Sequence, residues 1–162
     1  ASPYVELPKK LKVIENLKVY AMMYEVKNPK NKIEQLIEEL NLSPFLYKKT
    51  GELSSGQRNR VSLAKSIIND PEILLLDEPT ASLDPDTGDF IRTFLEKYKK
   101  KNSMATLLAS HNMDEVTRLS DYVLMMKEGN IIDQGTASDL IEKHGRDNLE
   151  EVFLKLVRQH EH

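Results

Sequence analysis

Between residues 11 and 49 the apolar positions recur at helical spacing. Ile14, Leu17 and Ala21 lie three and four apart, and Ile33, Leu36, Ile37 and Leu40 repeat at i, i+3, i+4, i+7. Asn28-Pro29 falls between the two sets and predicts a break between two helices. From residue 53 the texture changes to alternating helix and strand. A helix over about 57–69 carries Val61, Ala64 and Ile68 on one side and stops before Pro71, because proline pushes its predecessor out of the helical region. Ile73-Leu74-Leu75-Leu76 is a short unbroken apolar run. Its length and the flanking proline favour a strand buried on both faces, and so a parallel sheet with helices on either side.

Asp84-Pro85 predicts a helix start, with Asp as N-cap and Pro at the first helical position. Phe90, Ile91, Phe94, Leu95 and Tyr98 give that helix an apolar stripe, and Thr106-Leu107-Leu108-Ala109 predicts a second buried strand. A short helix follows near 113–119. Tyr122–Met126 and Asn130–Gln134 flank Lys127-Glu128-Gly129 and predict a hairpin. A helix over 137–144 ends at Gly145, and a last helix aligns Leu149, Val152, Phe153 and Leu156. Helices first and βα units second predict an α/β core preceded by a helical lobe.

The 162 residues fit one domain, and 40% hydrophobic with 30% charged residues is the mix of a soluble globular chain that buries a core. A net charge of −3 argues against a broad nucleic-acid footprint, which needs a basic stripe. With no cysteine, neither disulfides nor thiolate metal sites are available. Nothing resembles a signal peptide, and no apolar run approaches the roughly 18 residues of a spanning helix. The chain reads as cytosolic, serving a membrane only through a partner.

Three local patterns carry chemistry. Leu53-Ser54-Ser55-Gly56-Gln57 stands where a helix begins. Unpaired N–H groups and the positive dipole end attract phosphate there, and small residues allow close approach. An ordinary Ser N-cap explains the same residues equally well. Asp77-Glu78 follows the apolar strand, at the carboxyl end where α/β sheets bind ligands. Adjacent strand residues point in different directions, so one carboxylate can hold Mg²⁺ while the other deprotonates an attacking water. A strand that simply ends in polar residues is the plainer alternative. His111 comes immediately after the second strand, at the same sheet edge as Glu78 if the strands are parallel neighbours. On its own such a histidine is usually a loop residue.

Taken in order, these patterns resemble an ATP-binding cassette (ABC) transporter ATPase domain, part of the P-loop NTPase fold. Leu53–Gln57 is similar to the signature motif, Ile73–Pro79 to the Walker B strand, Ser82-Leu83-Asp84 to the D-loop and His111 to the switch histidine. The run from Glu52 to Pro85 follows the family pattern almost throughout, with Arg58, Arg60 and Val61 after the signature. Glu15-Asn16-Leu17 resembles the start of the family's helical subdomain. Leu149-Glu150-Glu151-Val152-Phe153-Leu154 is similar to exporter-type ATPases of the drug or ABC-2 class.

The resemblance implies a division into 1–52 (helical subdomain, first part), 53–70 (signature and its helix), 71–135 (α/β core) and 136–162 (C-terminal helices). It also implies roles. Asp77 would help hold Mg²⁺, Glu78 would be the general base, and His111 would sense the γ-phosphate. Ser54, Ser55, Gly56 and Gln57 would contact ATP held by a second ATPase subunit, and Asp84 would report across that dimer interface. Residues 11–50 would dock a transmembrane permease. Ser55 departs from the family, which most often has Gly there, and its Cβ restricts the backbone.

The larger departure is an absence. A phosphate-cradling loop needs Gly-x-x-x-x-Gly-Lys-Ser/Thr, and the spacing match at Gly51 and Gly56 continues Gln57-Arg58, without the lysine. The adenine-stacking aromatic and the Q-loop glutamine also have no convincing counterpart, although Tyr4-Val5-Glu6 resembles sequence near the Q-loop. The resemblance places the family's first β-rich segment ahead of residue 1. The expectation is that these residues alone neither bind ATP tightly nor hydrolyse it, because positioning carries most phosphoryl-transfer catalysis. Two other classes stay open: a soluble ABC-type ATPase of DNA repair or translation, and a non-enzymatic interaction module.

Overall fold

Helix α1 (Val13–Met23) turns Val13, Leu17 and Ala21 inward, and α2 (Pro29–Glu39) buries Ile33 and Leu36. Asn28 and Pro29 occupy the N-cap and first helical positions of α2, so the predicted break lies where proline's missing N–H costs nothing. A computed structural model describes residues 7–159 of the chain. Tyr4-Val5-Glu6 lies outside the described residues.

The chain divides between Ala109 and Ser110 into two compact units. In the first, α1 packs against α2 and against α3 (Ser55–Ile67), which contributes Val61, Leu63, Ala64 and Ile67 to the buried set. Leu17, Leu36, Leu40, Leu42 and Ile68 are fully enclosed, each side chain contributing about 1.5–3 kcal/mol by its removal from water. Then come β1 (Ile73–Asp77), α4 (Pro85–Lys101) and β2 (Ala105–Ala109). Ile91, Phe94, Leu95 and Tyr98 of α4 are buried as its stripe predicts, while Phe90 is half-buried beneath the Arg60 guanidinium.

β1 and β2 pair in parallel, from Ile73 opposite Ala105 to Asp77 opposite Ala109. The parallel pairing agrees with the sequence reading; the two-sided burial does not. Leu74 and Leu76 are buried, but Ile73 is 65%, Leu75 59% and Leu107 64% exposed. Thr106 and Ala109 of the second predicted buried strand are exposed as well. Among the described residues these two strands pair only with each other, and only the face that carries Leu74 and Leu76 is covered.

The second unit opens with α5 (Met113–Leu119), followed by strands β3 (Val123–Lys127) and β4 (Asn130–Gly135). The strands form the expected antiparallel hairpin, with a register irregularity between Met125 and Met126. Its turn is Glu128-Gly129, both at positive φ (50° and 79°), the backbone that matches the twist of a two-residue hairpin. Helix α6 (Ala137–His144) ends at Gly145 in the left-handed region, and α7 (Leu149–Gln159) closes the unit. Its core joins Val116, Val123, Met125, Leu140, Leu149, Val152 and Leu156.

Candidate functional site

Ser54 is the N-cap of α3. Its hydroxyl accepts from the Gln57 N–H at 3.3 Å, and the Gln57 side-chain oxygen accepts from the Ser54 N–H at 3.2 Å. The two residues close a reciprocal capping box, so the plain cap reading of the Ser54–Gln57 turn is correct as structure. Ser54 and Ser55 remain exposed. Ser55 is the first helical residue and is not among the positive-φ positions, so its Cβ meets no backbone strain. Gly56 is tightly placed: a Cβ there would lie 2.9 Å from Thr87 Cγ2 on α4.

Asp77 is exposed at the end of β1, and Glu78 is half-buried just beyond it. Glu78 has φ 48°, in the left-handed region that L-residues other than Asn and Asp seldom occupy. Its N–H donates to the Ala109 carbonyl at 2.8 Å, which extends the β1–β2 ladder by one bond. Ser82, also left-handed at φ 59°, bends the segment again before Asp84. Asp84 caps α4 by accepting the Thr87 N–H at 3.0 Å, and this bond holds its carboxyl below the ordinary carboxylate range.

On the other side of the segment, the buried Asn59 of α3 donates through Nδ2 to the Pro79 carbonyl at 2.7 Å. The structure therefore joins the helix of residues 54–57 to the segment 78–87 at two points, Asn59–Pro79 and Gly56–Thr87.

His111 belongs to the second unit and is exposed. Its neighbours are fixed by a closed set of bonds. Ser110 Oγ donates to Glu115 Oε2 at 2.7 Å, the Asn112 N–H donates to Ser110 Oγ at 3.1 Å, and the Glu115 N–H donates to Asn112 Oδ1 at 3.0 Å. Glu115 is 1% exposed, so the anchor of this loop is a buried carboxylate. The sequence reading singled out none of Asn59, Ser110, Asn112 and Glu115. For Asn112 a signal existed, an Asx with Glu three positions later at a helix start.

Among the described residues no three His, Cys, Asp or Glu side chains gather as a metal cage. An exposed carboxylate with a second beside it is still a donor set that fits Mg²⁺, which prefers one or two carboxylates plus phosphate oxygens and water.

The ABC transporter family profile matches residues 4–81. The chain is 33% identical to the ABC transporter ATP-binding protein NatA of Bacillus subtilis (strain 168) over 147 residues, covering 89% of this chain and 59% of NatA. Among solved structures, cbiO1 from Clostridium perfringens, described as part of the ABC transporter complex cbiONQ, is 28% identical with a TM-score of 0.75, over 88% of this chain and 57% of that one. An ATP binding subunit of an ABC transporter superposes with a TM-score of 0.81 at 23% identity, over 94% and 65% of the two chains, a likeness of fold. The chain thus spans about six-tenths of these proteins' lengths.

Proposed function

The chain belongs to the ABC transporter ATPase family, and we propose that its residues serve an ATP-hydrolysing subunit that drives a membrane permease. One observation carries this reading. β1 and β2 are parallel neighbours that end in the same register at Asp77 and Ala109, with Glu78 tied to the Ala109 carbonyl at the carboxyl end of the pair.

In this reading Glu78 takes the proton of the attacking water, from a left-handed backbone held at both ends. Asp77, exposed at the strand end, helps hold Mg²⁺, which when bound neutralises charge on the phosphate oxygens. His111 hydrogen-bonds the γ-phosphate from a loop that Glu115 keeps in place. Ser54, Ser55, Gly56 and Gln57 meet ATP carried by a second ATPase subunit, through N–H groups and hydroxyls at the start of α3. Asp84 caps α4 and reports across that dimer interface.

The permease docks on the helical lobe of residues 11–50, within the subdomain of residues 1–52. Residues 53–70 form the signature part, 71–135 the α/β core and 136–162 the C-terminal helices. Among the described residues no helix is long and apolar enough to cross a membrane. The reading places the protein on the cytoplasmic face of the cell membrane, held there by the permease.

Tagged in its native host, the protein is expected to co-purify with a membrane permease and to release phosphate from ATP only with Mg²⁺. Phosphate release that persists without a divalent ion, or that His111→Ala leaves at full rate, would overturn the assignment. The 162 residues by themselves are expected to release none in a malachite-green assay.

A further inference from the structure

Asn59 stands one turn into α3, beyond the Ser54–Gln57 cap, and is 8% exposed. Its buried amide reaches across to the carbonyl of Pro79, at 2.7 Å. Pro79 is itself buried and directly follows Glu78. A left-handed Glu is a costly backbone state that persists only when its surroundings over-determine it. Three surroundings do so here. The Glu78 N–H is taken by Ala109, the Ala81 N–H closes back on the Glu78 carbonyl at 3.1 Å, and the Pro79 carbonyl, one peptide further on, is gripped by Asn59. The first two bonds lie within the strand pair and the turn. The third comes from the helix that carries residues 54–57.

We propose that Asn59 is a positioning residue for Glu78: by holding the Pro79 carbonyl it fixes the left-handed turn that presents the carboxylate, and it ties that turn to the helix of the Ser54–Gln57 cap. The importance of this hold for turnover rests on the reading of Glu78 as general base. The hold itself does not. Removing the donor strands a buried carbonyl without a partner, a loss that relaxation of the turn would relieve.

The test uses the whole chain, isotope-labelled for NMR. In the wild type the Glu78 Cα and Cβ shifts are expected to report a left-handed backbone. Asn59→Leu keeps the number and branching of the heavy atoms and removes the donor. It is expected to move those shifts towards extended values and to speed exchange of the Ala81 amide about tenfold, while Leu74–Leu76 and Thr106–Leu108 keep their protection. Asn59→Asp supplies the rescue arm: the neutral acid donates to the same carbonyl and the carboxylate does not, so wild-type Glu78 shifts return at acid pH and disappear as the new carboxyl ionises. If Asn59→Leu loses the strand pairing altogether, this pH comparison decides.

Glu78 shifts and Ala81 exchange that stay at wild-type values in Asn59→Leu would reduce Asn59 to a space-filling residue, as would an Asn59→Asp chain whose Glu78 shifts differ from those of the wild type by the same amount at every pH. None of these readouts involves ATP. A Glu78→Gln protein that still turned over ATP would remove the general base and leave the hold standing.

Discussion

The Glu78 N–H donates to the Ala109 carbonyl at 2.8 Å, one position past the last registered pair of the parallel strands. This bond is made from a left-handed backbone at φ 48°. Glycine reaches that region freely, whereas another L-residue gives up about 1–2 kcal/mol there. Glu78→Gly is therefore expected to be more stable than Glu78→Ala by about 1 kcal/mol in urea unfolding. An alanine variant as stable as the glycine variant would show that the left-handed turn carries no strain.

Gly56 and Thr87 give a coupled pair. A Cβ at position 56 would stand 2.9 Å from Thr87 Cγ2, closer than real Cβ contacts come. Gly56→Ala is expected to cost about 1–2 kcal/mol by overpacking. In a Thr87→Ser background, without that methyl, most of the cost should vanish and the better helix propensity of alanine should show. A double-mutant cycle reads the coupling directly. Additive effects would mean that α3 and α4 do not touch at this point.

Much of this arrangement is legible in the residues themselves. Asn28-Pro29, Asp84-Pro85 and Gly145 mark helix ends by local chemistry, and each stands at a helix end in the structure. Parallel pairing follows from two apolar runs separated by a helix. Which strand faces are covered does not, because an unbroken Ile-Leu-Leu-Leu run looks the same whether or not a layer packs on its second side. The roles of Asn59 and Glu115 are not legible in the sequence for another reason. A polar residue on an amphipathic helix reads as solvated, and only the fold shows that these two are buried against a carbonyl twenty positions away and a loop hydroxyl five away.

Ile73, Leu75 and Leu107 occupy one face of the two-stranded sheet, all more than half exposed. Apolar strand faces and edges of this kind favour association with another chain. The 162 residues are expected to show a mass that rises with concentration in light scattering, and Leu75→Lys with Leu107→Lys to suppress the rise. A monomer over a wide concentration range in the wild type would contradict this.

In the second unit Asp133 accepts from Lys143 at 2.7 Å and 3.0 Å and from His144 at 2.6 Å. These bonds, that from Lys143 foremost, lower its carboxyl from 3.8 to about 2. A depressed carboxylate contributes stability above its unfolded value, and that contribution disappears as pH falls through the folded value. Asp133→Asn should lower stability at pH 7 by about 1–2 kcal/mol, and the gap to wild type should close between about pH 4 and pH 2. Amide exchange along β4 and α6 measures it. A gap that is constant across that window would assign the loss to packing.

The most direct measurement concerns Glu78 in the native protein that carries these residues. Single-turnover hydrolysis is compared between wild type and Glu78→Gln, with ATP binding measured in parallel. Loss of a general base lowers turnover by about 10²–10⁴-fold, so the variant should bind Mg-ATP as the wild type does and release phosphate at least a hundredfold more slowly. A Glu78→Gln protein that binds and hydrolyses ATP at the wild-type rate would contradict the account.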